Sequence, residues 1–295
     1  MAATEPRRPA ADHGLFGPDS VTWRLHADPA MAFAGLRALL MQAIHPLAMA
    51  GVAQHSTFRE DPWGRLARTG EYIGVTTFGT TEEARRMGAM VRGIHRKVVG
   101  VEEESGTPYR ASDPDLLLWV HCAQVDSVLA AMRASGVPLT AQEADRYVSE
   151  QLVAAELVGI DRALAPSTTT ELAAYFAEVR PRLRVTAEGR KAARFILFPP
   201  MPTKAWAARP AWAGLATAAF GLLPAWGRRL YGLPGLPPAA LAASVTARAW
   251  RLTTSRLPTS MREGPMLTAA RARLAEEGLH WTGYGVEPLP EKLAG

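Results

Sequence analysis

The chain has 295 residues, 48% of them apolar, a net charge of +5 and a single cysteine. That length supports one large core or two modest ones, and the apolar content excludes a disordered chain. One cysteine, Cys122, excludes an intrachain disulfide framework and any cysteine-rich zinc or iron–sulfur site.

Ala, Leu, Arg and Glu outweigh any alternation of Val, Ile and Thr, so an all-α fold is expected, a single multi-helix domain. The positive charge is spread along the chain, with no block of five like charges and no basic run interleaved with aromatics. Nucleic acid is therefore not an expected partner. Cysteine usage suits a reducing, cytoplasmic setting, and residues 1–17 lack the apolar run of a signal peptide. They are expected to form a flexible arm.

Asp19-Ser20 caps a short helix containing Trp23 and Leu25. Asp28-Pro29 opens a helix predicted over 29–53 that is apolar almost all round and therefore buried. His45-Pro46 interrupts it, and the proline predicts a kink. Such a kink either aims the imidazole into a cavity or simply packs a core histidine. Asp61-Pro62 starts the next helix, on which Arg65, Arg68, Thr69 and Tyr72 share one face. That face is either solvated or an inward polar wall turned to an anionic ligand.

The Thr76–Thr80 stretch is expected to break this helix. Thr80 with Glu83 then fits a capping box for a helix predicted to run to about Val99 and stop at Gly100. Met87, Met90, Val91, Ile94 and Val98 form its apolar stripe, with His95 at the edge. Residues 107–112 are expected to be a connector. Asp113-Pro114 opens an apolar helix to about Gly136 that holds His121, Asp126 and Ser127. Polar groups there need partners, because each unpaired buried one costs about 1–3 kcal/mol.

Further helices are predicted from Leu139-Thr140 to Ile160, from Thr168 to Val179, and over 187–198. Prolines at 199, 200, 202, 210, 224, 234, 237 and 238 divide the rest into short helices. The uncharged stretch Ala211–Trp226 is shorter than the ~20 residues of a spanning helix and contains Pro224, so it is expected to be a buried or interfacial hairpin.

The chain lacks a Walker loop, a GxGxxG after a strand, GxSxG and HExxH. His121 and Cys122 are adjacent on a helix and point about 100° apart, which excludes a facing nucleophile pair. Histidine-based metal binding remains. In one form His45, His95 and His121 converge from three helices, with Asp126 or a glutamate as helper. In another, one histidine binds a haem iron between apolar helices, with basic residues holding the propionates.

Over residues 14–255 the chain resembles the DUF2236 family, the MpaB-like and rubber-oxygenase (latex clearing protein) catalytic domain. The resemblance rests on Gly17-Pro18 with Ser20, Gln42 with His45-Pro46, Arg65-Leu66-x-x-Thr69, Phe78-Gly79, and His95 with Val98. It continues through Tyr109 to Asp113-Pro114, Leu117 to His121, Asp126-Ser127, Pro199, Leu222-Leu223-Pro224 and Tyr231-Gly232-Leu233. It implies a catalytic domain over 18–255, with residues 256–295 as a C-terminal helix and tail packed on it. It also implies an all-helical fold around haem b, with His95 as the proximal iron ligand and Arg65 and Thr69 on the distal side. Arg68 stands where the family has a lysine that can ligate iron. Arginine stays protonated and is a poor ligand, so the sixth position is left open or falls to water, His45 or His121. The implied activity is O2-dependent oxidation of a small apolar substrate, such as an isoprenoid or another unsaturated compound. Such a substrate is compatible with peripheral membrane contact. The alternative is a haem-binding or non-haem metal protein without oxygenase turnover.

Overall fold

The structure is a computed structural model, and it describes residues 12–57, 59–233 and 236–289. Its elements run in chain order. The first half holds α1 (Val21–His26), α2 (Met31–Gln42), α3 (Pro46–His55), α4 (Pro62–Phe78), α5 (Thr81–His95), β1 (Val99–Glu102), β2 (Thr107–Arg110) and α6 (Pro114–Ala134). The second half holds α7 (Ala141–Glu150), α8 (Leu152–Val158), α9 (Thr169–Val179), α10 (Ala187–Leu197), α11 (Arg209–Gly221), α12 (Ala225–Leu230), α13 (Pro237–Thr254), α14 (Thr259–Arg262) and α15 (Pro265–Glu276). The short strands β3 (Leu279–Trp281) and β4 (Val286–Pro288) close the described chain. The fold is all-α, with two small antiparallel hairpins.

The main core forms where α2 packs along α6 and α11, and α11 along α13. Phe33, Leu40, Met41 and Ile44 of α2 meet Trp119, Cys122, Val128 and Met132 of α6. Small residues bring α11 and α13 together: a Cβ on Gly221 would lie 2.7 Å from the Cβ of Ala243. Buried Arg37 answers the polar groups of α6. It donates to Asp126 (2.7 Å), to Ser127 Oγ (2.7 Å) and to the Leu222 carbonyl (2.9 Å). One cation thus satisfies three acceptors drawn from two other segments.

The helix predicted over 29–53 is two helices. α2 ends at Gln42, and α3 leaves it at 103°. Pro46 sits in the first turn of α3, where its missing N–H costs nothing, and His45 is the N-cap. The expected break at Thr76–Thr80 comes later, because α4 continues to Phe78. The Thr76 hydroxyl donates back to the Tyr72 carbonyl at 2.8 Å, which accommodates threonine inside the helix. α5 stops at His95, short of the predicted Val99, and residues 107–110 are a strand rather than a connector. The β-branched Val99 and Val101 pair with Arg110 and Pro108, and buried Glu102 ties the turn by accepting from the backbone N–H groups of Glu104 and Ser105. Pairing with β2 outweighs the helical pattern there.

The segment predicted from Leu139-Thr140 to Ile160 divides into α7 and α8, with a capping box at Thr140 and Glu143. Residues 1–11 of the expected arm lie outside the described residues. Residues 12–17 are held: Asp12 accepts from the Thr81 N–H and hydroxyl at 2.8 Å each, and Phe16 packs near Trp23. A Cβ on Gly14 would come 2.2 Å from the Gly79 carbonyl, so this strap crosses the α4–α5 turn where glycine is required.

Ala211–Trp226 forms most of α11 and the start of α12, and neither is of membrane-spanning length. Among the described residues α6 is long and apolar enough to cross a membrane, as is the bent α2–α3 pair taken as one span. For α6, 67% of the relevant window is buried inside the fold, as in a central core helix.

Candidate functional site

The N-terminal half of α4 borders a cavity that is partly open to solvent. Its walls come from α2 and α3 (Leu36, Leu39, Ala48, Met49, Val52), from Val120 of α6, and from Ala192, Phe195, Ile196 and Pro199. Trp63, Leu66 and Trp212 complete them. Among the described lining residues, Arg65 is the one charged group, and Gln42 and Thr69 add an amide and a hydroxyl. A largely apolar concavity with a few convergent polar groups is the usual form of a small-molecule site.

Local sequence explains how Arg65 is aimed. Asp61 caps α4 by accepting from the Gly64 N–H at 2.9 Å, and Pro62 fixes the first turn. The chain before it brings Ser56 to the Arg65 guanidinium, which donates to the Ser56 hydroxyl. Burial, and then the like charge of Arg68, press the Arg65 pKa below its ordinary value; the guanidinium still keeps its proton. Thr69 lies one turn on, and its hydroxyl donates to the Arg65 carbonyl at 3.0 Å. Arg68 differs from both. It is exposed, pairs with Asp61 at 3.2 Å, and does not line the cavity. The polar face read from the sequence is therefore split. Arg65 is half-buried at the cavity, Thr69 borders the cavity from an exposed position, and Arg68 turns to solvent.

Tyr72 is largely covered, and burial raises its pKa to about 12 although Arg92 lies near enough to oppose the shift. Arg92 itself donates to the Leu157 carbonyl at the end of α8.

The three histidines lie outside the cavity wall. His95 occupies the last turn of α5, at the end away from the α4–α5 turn, as Arg65 does on α4. Its Nδ1 is buried and has no hydrogen-bond partner. Burial lowers its pKa, so the ring is neutral near pH 7. Around it the expected apolar stripe is open rather than packed: Met90 is 54% and Ile94 52% exposed, and the buried residues of α5 are Ala84 and Gly88.

His121 is 8% exposed, and burial pushes its pKa down to about 4. His45 is equally buried and is pushed down to about 4 by burial and then by Arg182. Its Nδ1 accepts from the Ala48 N–H at 3.4 Å, and its ring tilts against Trp119. With Nδ1 accepting, the neutral ring carries its proton on Nε2 and offers a donor there, not a lone pair.

Among the described residues no group of three His, Cys, Asp or Glu side chains could hold a metal ion. The expected convergence of His45, His95 and His121 with Asp126 is thus not built. Asp126 is held by Arg37, and His45 caps α3.

The residues that sequence reasoning missed are the tryptophans of the cavity. Trp63 and Trp212 meet edge to face with centroids 4.9 Å apart. Trp63 donates to the Pro200 carbonyl at 2.9 Å and Trp212 to the Ile196 carbonyl at 3.0 Å. The available signal was the position of Trp63, directly after the Asp61-Pro62 helix start. Nothing local marks Trp212, which reaches the site only because α11 folds back on α10.

No curated protein and no solved structure matches the chain. A family model does, and it covers residues 23–256, which include α4, α5, the cavity walls and all three histidines discussed above. By that match the chain belongs to the family of the ER-bound oxygenase mpaB/B' and rubber oxygenase catalytic domain.

Proposed function

We propose that the protein is a haem b-dependent oxygenase that oxidises a small apolar, unsaturated substrate with O2, His95 being the iron ligand. The observation that carries this reading is the cavity: one guanidinium and one hydroxyl, four residues apart on α4, in walls that are otherwise almost entirely hydrocarbon. Such walls favour an apolar substrate by excluding water, and the polar pair marks where its reacting part would lie.

His95 lies outside the cavity wall, and its neutral ring with an unpartnered buried nitrogen is what it would offer a haem iron. Haem, when bound, would supply the chemistry of O2 activation, which no side chain of this chain provides. Arg65 would present N–H donors to an oxygen atom as it gains negative charge. Its tie to Ser56 holds it ready without reorganisation. Thr69 supports the same turn through its bond to the Arg65 carbonyl. Arg68 supplies no ligand, being exposed and paired with Asp61. His45 presents an N–H rather than a lone pair, which leaves His121, of these two, for a second role.

The test is O2 uptake by haem-reconstituted protein given an unsaturated hydrocarbon. Uptake that depends on the hydrocarbon, and falls by about 10²-fold in Arg65→Ala, supports the reading. Protein that takes up haem but consumes no O2 with any unsaturated hydrocarbon overturns it in favour of a haem-binding protein without turnover.

A further inference from the structure

Between Glu188 and Glu263 the sequence holds eleven Lys and Arg and no Asp or Glu, so the rest of the chain is net acidic. The cations stand singly or in adjacent pairs among apolar residues. α13 lies within this stretch, and its amphipathicity is reversed. Its buried residues are Ala243 and Ala247, and these small side chains let it approach α11 closely. Its larger apolar residues face outward: Leu241 is 69%, Val245 60% and Leu252 58% exposed. Spaced i, i+4 and i+11, the three fall on one line along the helix. Leu236, just before α13, and Met261, in α14, are exposed as well.

Arg248 adjoins that line, and Arg256 follows the end of the helix. Both are exposed, and neither makes an ion pair among the described residues, whereas Arg251 is held by Asp28 at 2.8 Å. The exposed hydroxyls of Thr246 and Thr253 donate back to the carbonyls of Ala242 and Ala249 at 3.0 Å each, so they need no water. None of these residues lines the cavity beside Arg65.

We propose that the outer face of α13 docks on a membrane surface rich in anionic phospholipid. Leu241, Val245 and Leu252 enter the boundary between headgroups and acyl chains, while Arg248 and Arg256 meet lipid phosphates. Charge complementarity selects this occupant. A second copy would set one cation-rich face against another, and a nucleic acid would leave the leucines in water.

The test is co-sedimentation of the full chain with vesicles of phosphatidylcholine alone and of equal parts phosphatidylcholine and phosphatidylglycerol. Binding to the anionic vesicles, weakening as salt rises and much weaker to the neutral ones, is expected. Arg248→Gln and Arg256→Gln should each weaken it about fivefold. The double variant Leu241→Gln/Leu252→Gln should weaken it by about a hundredfold. Leu164→Gln, at an exposed leucine of another segment, should leave it unchanged. If circular dichroism shows the double variant to be unfolded, Leu241→Gln alone is read. Absence of binding to either vesicle overturns the proposal, as does equal binding to both or wild-type binding by the leucine variant. A dimer that the leucine variant dissolves would assign the face to a second copy instead. Binding to duplex DNA that the arginine variants lose and the leucine variant keeps would assign it to nucleic acid. Docking without O2 uptake sinks the oxygenase reading and leaves this one standing.

Discussion

Arg65 and Arg68 are three residues apart on one helix, yet the chain uses them differently. Arg65 is held by Ser56 at the edge of an apolar cavity, whereas Arg68 meets Asp61 in solvent. An exposed ion pair contributes about 0–1 kcal/mol. Arg68→Ala should therefore leave both the melting temperature and O2 uptake close to wild type, in contrast to Arg65→Ala. Loss of uptake in Arg68→Ala would show that Arg68 reaches the reacting groups. The sequence made the shared polar face legible through its helical spacing. It did not show which members turn inward, because that depends on α3 bringing Ser56 to the site.

His26 gives a second test at this scale. Its ring bonds Thr77 Oγ1 at 2.8 Å and the Tyr147 hydroxyl at 3.1 Å, and burial pushes its pKa from 6.5 down to about 4. Between those values the unfolded chain binds a proton that the native chain does not, so stability falls as pH falls. The contribution is complete above about pH 6.5 and is lost towards pH 4, up to about 3 kcal/mol. In His26→Gln, melting curves from pH 7 to pH 4.5 should decline less steeply than wild type. An unchanged slope would contradict the assignment.

At the scale of elements, helix starts were the most legible features, because a cap is a local signal of one to four residues. Ser20, Asp61, Thr80 and Thr140 each accept the expected backbone N–H. Helix ends were less legible. α4 outlasts its threonines because Thr76 bonds within the helix, and α5 ends early because residues 99–102 pair with a strand. The 103° turn at His45-Pro46 exceeds what a proline kink alone implies. It joins two helices that pack on different partners, α2 on α6 and α3 on the β1–β2 hairpin. Thr80→Ala removes the hydroxyl half of the capping box at the start of the helix that carries His95 and leaves the backbone N–H bond to Glu83. It should cost about 1 kcal/mol, read as a lower denaturant midpoint with unchanged slope. Gly88→Leu should cost more. A Cβ there would already lie 2.8 Å from the Leu157 carbonyl, so any larger side chain must push α5 off α8. A Gly88→Leu variant as stable as wild type would show that the two helices separate without penalty.

Across the whole molecule, the family match ends at residue 256 but the packing does not. Leu267, Ala270 and Leu274 of α15, with Trp281, enclose Trp23 and Phe78 from the other end of the chain. The Trp281 indole donates to the Pro18 carbonyl at 2.9 Å, and Arg273 donates to the Phe78 carbonyl. This second core braces the α4–α5 turn and therefore the two helices of the proposed site. Ending the chain at residue 256 should uncover fully buried Trp23, lower the melting temperature by about 10 °C or more, and raise dye binding to exposed apolar surface. The family resemblance implied that residues 256–295 pack on the catalytic domain. It did not show that the surface would be α1 and α4, since such a contact links residues more than 190 apart in the chain.

The most direct measurement is the absorption spectrum of the haem-reconstituted protein beside that of His95→Ala, His121→Ala and His45→Ala. Iron ligation by His95 predicts a Soret band in the wild type that is lost in His95→Ala and kept in His45→Ala, because the His45 ring offers a donor in place of a lone pair. A wild-type protein that stays colourless after haem addition, or a band that survives in His95→Ala and disappears in His121→Ala, would contradict it.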